Sequence, residues 1–321
     1  STSLTSWTST ILFKSDATYN KIKNCTILGS SAMVTSTDGG TICFAQSNTS
    51  GCNYNSVKYC NIGPSSASAT PTRAIYSNGI STTSTWSKYD TISNNKIYDF
   101  FRPTEGSFGI YIANSKSFVI KNNHFYQTVA RTQTGGTNPE HSAIYIASGD
   151  GYTINENIIG YNSAALTGTY TFTQSGGGRL TPIYFNGNTS SPVLSTINSN
   201  IITNISFSSP YTSSSTTTNA LFKGIYISAG STQVNNNTIG SLTENDKITL
   251  TNTSATTHDA VAIAYNGTIL SWTSNYNNIG GIKLIASSTG ASGFYGIAQF
   301  SGNDLTWTCQ GNVIGGDVAN S

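Results

Sequence analysis

The six residues Ile92-Ser93-Asn94-Asn95-Lys96-Ile97 determine the architecture because they recur along the chain. Close copies are Ile120-Lys121-Asn122-Asn123-His124-Phe125 and Ile154-Asn155-Glu156-Asn157-Ile158-Ile159. We call the fourth residue of each copy the anchor; the anchors are Cys25, Cys60, Asn95, Asn123, Asn157, Asn200, Asn237, Asn277 and Asn312. A constant motif with variable gaps indicates one structural unit per repeat, with loops of different length between units.

Each copy alternates apolar and polar residues, which is typical of a half-buried strand. A second strand precedes most anchors, as in Gly109-Ile110-Tyr111-Ile112 and Gly224-Ile225-Tyr226-Ile227. The pattern predicts an all-β fold, a single-stranded right-handed parallel β-helix of about nine coils with almost no α-helix. We expect its lumen to be lined by Ile110, Ile112, Ile120, Ile144, Ile146, Ile225 and Ile227.

The repeats predict one domain over residues 1–321. Residues 1–19 are expected to form an N-terminal edge coil or cap, and residues 20–321 the repeats. The chain starts at Ser1 without a signal peptide, and we expect it to be a segment of a longer protein. The loops Thr128 to Asn138 and Ala164 to Arg179 have the composition of flexible surface connections.

The anchors are interpreted as a structural ladder of Asn and Cys side chains. In stacked coils, identical residues lie about 4.8 Å apart, so side-chain amides can bond along the stack. Cys25 and Cys60 at two anchors favour an interior position, because free Cys is among the most buried residue types. An inward Asn at a bend also satisfies backbone groups that the turn frees.

Composition excludes several classes of function. Only 9% of the residues are charged and the net charge is +2 without a basic run, which argues against nucleic-acid binding. No apolar stretch approaches the roughly 20 residues that a membrane span needs. The spacing of the five cysteines matches no zinc or haem motif, and we expect no metal and no cofactor. Cys43 with Cys52 and Cys25 with Cys60 are candidate disulfides, and buried thiols are the alternative.

Catalytic signatures are sparse. The chain has no Asp-Asp doublet, Gly-His-Gly or Arg-Ile-Lys, which would be typical of polygalacturonases, and no acidic ladder. Weak candidates are Arg102 and Arg131, seven and eight residues after their anchors, with Glu140 and His141 nearby. They could bind an acidic sugar or act as base and neutraliser, or they could form a solvated, salt-bridged loop surface. His258-Asp259 is a poor acid–base pair because adjacent strand residues face opposite sides, and His124 is expected at the surface.

Tyrosine recurs between the two apolar residues of the second strand. Since those apolar residues face the core, the tyrosines should form an outer ladder that can bind a ligand by stacking on sugar rings or by meeting a protein. If the ladder is a binding face, at least four of the five tyrosines should be partly exposed. Alternatively, loops cover the tyrosines, or the tyrosines stabilise the sheet through stacking. The five are Tyr76, Tyr111, Tyr145, Tyr184 and Tyr226.

The Gly-Ile-Tyr-Ile strands, anchors such as Asn236-Asn237-Thr238-Ile239-Gly240 and the Ser/Thr-rich loops resemble the right-handed β-helix repeats of secreted or cell-surface proteins of Bacteroidota. Such proteins are commonly exported by the type IX secretion system and end in a separate sorting domain. The resemblance covers most of the chain and implies an extracellular or cell-surface location and an adhesin-like role.

Three hypotheses of function follow. The leading one is a non-catalytic extracellular surface protein that presents loops and an aromatic face to a polysaccharide or another surface protein. The second is a polysaccharide lyase or glycoside hydrolase of the pectate-lyase-like superfamily. The third is a self-assembling fibre or stalk subunit, since the open ends of a solenoid need a cap, a flanking domain or end-to-end self-association.

Overall fold

Parallel strands account for almost all of the regular structure. The computed structural model describes residues 9–32, 39–47, 49–136, 139–190, 193–210, 220–254, 259–286, 293–300 and 306–316. Within these ranges the helical content is a single 3-10 turn, Thr83–Thr85. The all-β class predicted from the repeats is therefore confirmed.

Thirty-three strands are described. The first eleven are β1 (Ile11–Phe13), β2 (Lys21–Lys23), β3 (Thr26–Gly29), β4 (Ile42–Phe44), β5 (Ser56–Lys58), β6 (Asn61–Pro64), β7 (Arg73–Asn78), β8 (Ser87–Lys88), β9 (Thr91–Ser93), β10 (Lys96–Tyr98) and β11 (Ser107–Ala113). The next eleven are β12 (Ser115–Lys116), β13 (Val119–Lys121), β14 (His124–Tyr126), β15 (Arg131–Gln133), β16 (Glu140–Ile146), β17 (Thr153–Asn155), β18 (Ile158–Ile159), β19 (Tyr170–Gln174), β20 (Arg179–Leu180), β21 (Ile183–Asn186) and β22 (Ser195–Asn198). The last eleven are β23 (Ile201–Ile202), β24 (Ile205–Ser209), β25 (Phe222–Gln233), β26 (Thr238–Gly240), β27 (Ile248–Asn252), β28 (Ala260–Asn275), β29 (Asn278–Gly280), β30 (Ile282–Ala286), β31 (Phe294–Gln299), β32 (Thr306–Gln310) and β33 (Val313–Ile314).

The strands pair in parallel in sheets of 17, nine, five and two strands. Each repeat pairs with its neighbours in the register of the sequence motif, so that Ile97 of β10 pairs with Phe125 of β14, and Tyr111 of β11 with Tyr145 of β16. The nine-stranded sheet contains the strands that follow the anchors. This arrangement is compatible with a parallel β-helix.

The hydrophobic core runs through successive repeats as one continuous cluster. Alternation along each strand sends every second side chain inward, as the apolar–polar pattern predicts. The core residues named from the sequence have no exposed surface: Ile110, Ile112, Ile120, Ile144, Ile146, Ile225 and Ile227. Aromatic side chains such as Phe125 and Phe172 belong to the same cluster and have no exposed surface.

The anchor asparagines from Asn95 to Asn277 are buried and hydrogen-bonded to one another. Asn123, for example, donates its backbone N–H and its side-chain Nδ2 to Oδ1 of Asn157, at 3.0 and 3.1 Å. The same Nδ2 donates to the carbonyl oxygen of Ile92 at 2.8 Å. Oδ1 of Asn123 in turn accepts from the backbone N–H and Nδ2 of Asn95, at 3.1 and 3.0 Å. Both the oxygen and the nitrogen of this buried amide therefore have partners, as buried polar groups require. The first anchor differs from expectation: Cys25 is exposed, and Cys60 is buried.

The residue before each anchor adopts a left-handed backbone conformation, with φ of 57° at Asn94, 55° at Asn122 and 58° at Asn236. Asn is one of the residue types that tolerate this region. The bend turns the chain from the strand before the anchor into the strand after it. The inward amide then bonds across neighbouring coils at that corner.

The long Ser/Thr/Gly segments are not simple loops, which corrects the sequence interpretation. The segment Thr128 to Asn138, of which residues 137–138 lie outside the description, contains β15, and Ala164 to Arg179 contains β19. These strands pair with each other and continue through β24, β27 and β30 as the five-stranded sheet. Buried residues such as Phe172 and Phe207 alternate with Ser and Thr in these strands. The high Ser/Thr content concealed their period-2 pattern.

A second polar column lies five residues before the first three anchors; it is exposed at Asn20 and buried at Asn55 and Asp90. Asn20 donates its side-chain amide to Oδ1 of Asn55 at 2.9 Å, and Asn55 repeats the contact with Asp90. Asn55 and Asp90 are 1% and 0% exposed. Hydrogen bonds at two separate positions therefore join the first three repeats.

Candidate functional site

A cleft of about 660 Å³ opens at the corner where four successive repeats turn. It is lined by Ser30, residues 67–70, residues 101–104 and Arg131. Each of these segments follows a strand of the nine-stranded sheet, so parallel stacking places them side by side. The volume lies within the range of roughly 300–1,000 Å³ that is common for small-molecule sites. The structure thus brings together Arg102 and Arg131, two of the candidates from the sequence.

Arg131 is fixed in place by several contacts. Its guanidinium forms an ion pair with Asp99 at 3.3 Å, and the two side chains are only 10% and 7% exposed. Its Nε donates to Oε1 of Gln127 at 3.3 Å, and its guanidinium carbon lies 5.4 Å from the centre of the Phe101 ring. Asp99 also accepts a hydrogen bond from the backbone N–H of Thr128 at 2.8 Å. The charge of Arg131 is therefore largely compensated within the protein.

Arg102 is placed differently. Its backbone N–H donates to Oγ of Ser107 at 2.8 Å, which orients the residue at the edge of the cleft. The side-chain Nε is buried without a hydrogen-bond partner, and no ion pair links Arg102 to any acid within the described ranges. A guanidinium has five N–H donors and remains charged at all accessible pH values. The cleft therefore contains an uncompensated positive charge.

The other two catalytic candidates are engaged elsewhere. Glu140 forms an ion pair with Arg179 at 3.0 Å. His141 is 1% exposed, shares a hydrogen bond between its Nε2 and the Tyr170 hydroxyl, and stacks on Phe172 with ring centres 4.0 Å apart. Burial, helped by the charge of Arg131, lowers the pKa of His141 to about 3. His141 is thus a neutral core residue at physiological pH.

The tyrosine column is less exposed than a binding face was expected to be. Tyr76 and Tyr226 are only 1% and 8% exposed, so at most three of the five rings are partly exposed, fewer than the four expected. Tyr145 stacks on Tyr111 and Tyr184, with ring centres 5.2 and 4.2 Å away. Both faces of the Tyr145 ring are therefore occupied by neighbouring rings.

Cations cover the two ends of this column. The Arg73 guanidinium lies 4.5 Å from the ring centre of Tyr76 and 4.0 Å from that of Tyr111. Lys223 Nζ lies 3.7 Å from the ring centre of Tyr226, and burial lowers the pKa of Lys223 to about 8. These contacts and the stacking favour the sheet-stabilising interpretation of the column.

The structure also bears on the remaining histidine and cysteine predictions. His124 is 8% exposed, which corrects its expected surface position, and its Nε2 lies 3.3 Å from the carbonyl oxygen of Gly160. His258 lies outside the described residues, so its pairing with Asp259 is not described. All five cysteines are free thiols, so neither candidate disulfide is present.

Sequence reasoning missed an exposed tyrosine stack in the first coils. Tyr19, Tyr54 and Tyr89 are 69%, 46% and 49% exposed, with adjacent ring centres 5.0 Å apart. Their constant spacing of 35 residues, equal to that of anchors 25, 60 and 95, was the available signal. The interplanar angles of 4° and 17° turn the ring faces toward each other, so mainly edges and hydroxyls face solvent.

No protein-family model, curated protein or solved structure matches the chain. In the described ranges, no helix has the length and apolar character that would let it cross a membrane.

Proposed function

We propose that this chain is a non-catalytic extracellular binding module that presents the corner cleft to a polysaccharide or another surface protein. The observation that carries the proposal is the composition of the cleft. The described residues that line it include two arginines and no carboxyl or imidazole side chain. Such a lining supplies charge and hydrogen-bond donors for recognition, whereas general acid–base catalysis requires groups that exchange protons near neutral pH.

The contacts of Glu140 and His141 support the same conclusion. The Glu140 carboxylate is paired with Arg179, and the low pKa of His141 leaves it unprotonated at neutral pH. A polysaccharide lyase that used Arg131 as a base would have to deprotonate a guanidinium that is ion-paired with Asp99. The lyase or hydrolase hypothesis thus becomes the alternative that an assay must exclude.

The proposal also includes the handedness and number of coils of the fold and the location of the protein. We propose a right-handed β-helix of about nine coils whose anchors form a continuous ladder. The parallel register of successive repeats and the hydrogen bonds between anchor amides support it. The low proportion of charged residues and the resemblance to secreted Bacteroidota repeats, including those of type IX secretion, support a cell-surface location.

A polysaccharide panel tests the proposal. Purified protein is incubated with neutral, uronate-containing and sulfated polysaccharides, and bound protein, new reducing ends and unsaturated products are measured in the same samples. The proposal predicts binding to at least one polymer without product formation. Reproducible product formation that disappears in Arg131→Ala, with the variant still folded, would establish the enzyme hypothesis instead.

Self-association is a second candidate function, and the last described coil favours it. Trp307, Val313 and Ile314 are 61%, 47% and 56% exposed, an unusual set of apolar side chains for a free surface. A coil stacked on this side, from a second copy or from a flanking segment, would cover them. Sedimentation velocity over a hundredfold range of concentration tests this candidate; a concentration-independent monomer would exclude it.

A further inference from the structure

We infer that the corner cleft binds an anionic saccharide unit, and that Arg102 is the residue that contacts its carboxylate or sulfate group. This inference rests on the proposed binding role and adds the chemical class of the ligand. It starts from the guanidinium of Arg102, which has no acidic partner among the described residues, whereas Arg131 in the same cleft is paired with Asp99. The net charge of Arg102, Arg131 and Asp99 together is positive.

The geometry of a guanidinium favours an oxyanion. Its planar fork of N–H groups matches the two oxygens of a carboxylate or a sulfate and can donate two parallel hydrogen bonds. The Nε of Arg102 is already buried without a partner, so leaving it unpaired costs free energy in the unbound protein. Because Nε is enclosed by protein, an oxyanion in the cleft would instead be bound through Nη1 and Nη2 of Arg102, which are not among the buried side-chain atoms that lack a partner.

The remaining lining is suited to a sugar ring. Ser68, Thr70 and Thr104 bring hydroxyl-bearing side chains to the same cleft, and Pro103 adds an apolar surface. Sugar hydroxyls both donate and accept hydrogen bonds, as Ser and Thr hydroxyls do. The cleft therefore combines one charged contact with several neutral polar ones, as expected for a charged sugar within a polymer.

The segment that holds Arg102 is rigid before binding. Phe101 donates its backbone N–H to the carbonyl oxygen of Pro71 at 2.9 Å, and Thr70 Oγ1 donates to the carbonyl oxygen of Phe101 at 2.8 Å. On the other side, the carbonyl oxygen of Pro103 accepts from the backbone N–H of Thr134 at 2.7 Å. The turn is thus bonded to the coil before it and to the coil after it. Such preorganisation reduces the entropy lost on binding.

Isothermal titration calorimetry on the full chain tests the inference, with trigalacturonate as the carboxylated probe and a sulfated disaccharide as the sulfated probe. Maltotriose is the neutral control. We expect at least tenfold tighter binding of one anionic probe than of maltotriose, and weaker binding as sodium chloride is raised, since salt screens exposed charges. The tighter anionic probe identifies whether the charge is a carboxylate or a sulfate.

Variants locate the site. Arg102→Gln should weaken binding of the anionic probe at least tenfold, and Arg102→Lys should weaken it less, because it keeps the charge but loses the fork. Lys283→Gln is the matched control: Lys283 is an exposed cation that pairs with Asp246 at 2.9 Å outside this cleft, and binding should be unchanged. Ser68→Trp fills the cleft from an exposed position without changing charge, and should abolish binding even if Arg102→Gln fails to fold.

The inference is overturned if both anionic probes bind no better than maltotriose, or if folded Arg102→Gln and Ser68→Trp both bind like wild type. Binding of a neutral polymer without product formation would uphold the proposed function while overturning this inference. Product formation from the anionic probe would overturn the proposed function instead, and the Arg102 variants would still report whether the cleft is the site.

Discussion

Asn55 and Asp90 lie in adjacent coils, and Oδ1 of Asp90 accepts both the backbone N–H of Asn55, at 2.7 Å, and its side-chain Nδ2, at 3.1 Å. The carboxyl occupies the place that a third amide would take in this column. Its other oxygen, Oδ2, is buried and has no hydrogen-bond partner among the described residues. Burial raises the pKa of Asp90 to about 8, so the carboxyl is mostly protonated at neutral pH and acts as a substitute for asparagine.

Asp90 should make stability depend on pH. The unfolded chain releases this proton near pH 3.8 and the folded chain near pH 8, so the free energy of unfolding falls as pH rises between these values. Asp90→Asn should remove this contribution and raise the free energy of unfolding at pH 8 on the order of 2–5 kcal/mol, since one pKa unit corresponds to about 1.4 kcal/mol. Urea unfolding of wild type and Asp90→Asn at pH 5 and pH 8 measures this difference in the free energy of unfolding. Asp246→Asn, at an exposed position, is the control, and equal stability of Asp90→Asn and wild type at pH 8 would contradict the assignment.

The anchor amides should be among the most sensitive positions. Asn157→Ala removes the acceptor of two Asn123 donors and the donor to the Ile120 carbonyl oxygen. Leaving buried polar groups unpaired costs about 1–3 kcal/mol each, so we expect a loss of about 3 kcal/mol or more. Asn155→Ala is the control two residues away, where the side chain is partly exposed, and it should cost about 1 kcal/mol. Thermal unfolding of the two variants compares them directly; similar losses would contradict the role of the anchors.

The sequence predicted the all-β class and the buried isoleucines because their spacing follows directly from strand geometry and repeat period. The sequence also indicated that Arg102 and Arg131 lie on the same side of the stacked repeats. The two residues follow successive anchors by nearly the same number of positions, and such residues are neighbours when parallel strands stack. The sequence did not predict that Tyr76 and Tyr226 are buried. Strand alternation predicts that the tyrosine side chains point away from the core. It does not predict that Arg73 and Lys223 pack over the rings of Tyr76 and Tyr226, because these contacts depend on residues outside the motif's alternation.

The tyrosine column should contribute to stability. Tyr145→Ala removes a ring that stacks on Tyr111 and Tyr184, and we expect it to cost about 3 kcal/mol. Tyr145→Phe keeps the ring and should cost much less. Tyr54→Ala, in the exposed stack, provides the comparison and should cost about 1 kcal/mol. Chemical unfolding distinguishes them. If Tyr145→Ala is as stable as wild type but loses polysaccharide binding, the sheet-stabilising interpretation is wrong and the tyrosines form a binding face.

The cysteines should differ in reactivity. Cys25 and Cys309 are exposed, whereas Cys43, Cys52 and Cys60 are buried. Burial also raises the pKa of the Cys52 thiol to about 11, which leaves little reactive thiolate at pH 8. A thiol reagent should therefore label two cysteines rapidly in the native protein and all five after unfolding. Mass spectrometry of labelled peptides reads the sites; rapid native labelling of Cys52, or fewer than five thiols after unfolding without reductant, would contradict the structure.

Hydrogen–deuterium exchange with and without trigalacturonate tests most directly where this protein binds. It reports on the cleft, the tyrosine column and the exposed tyrosine stack in one measurement. We predict slow exchange at the buried anchors in the free protein, and added protection on binding confined to peptides that contain residues 67–70, 101–104 and Arg131. Added protection at the strands of Tyr111, Tyr145 and Tyr184, with none at the cleft, would contradict the proposed site.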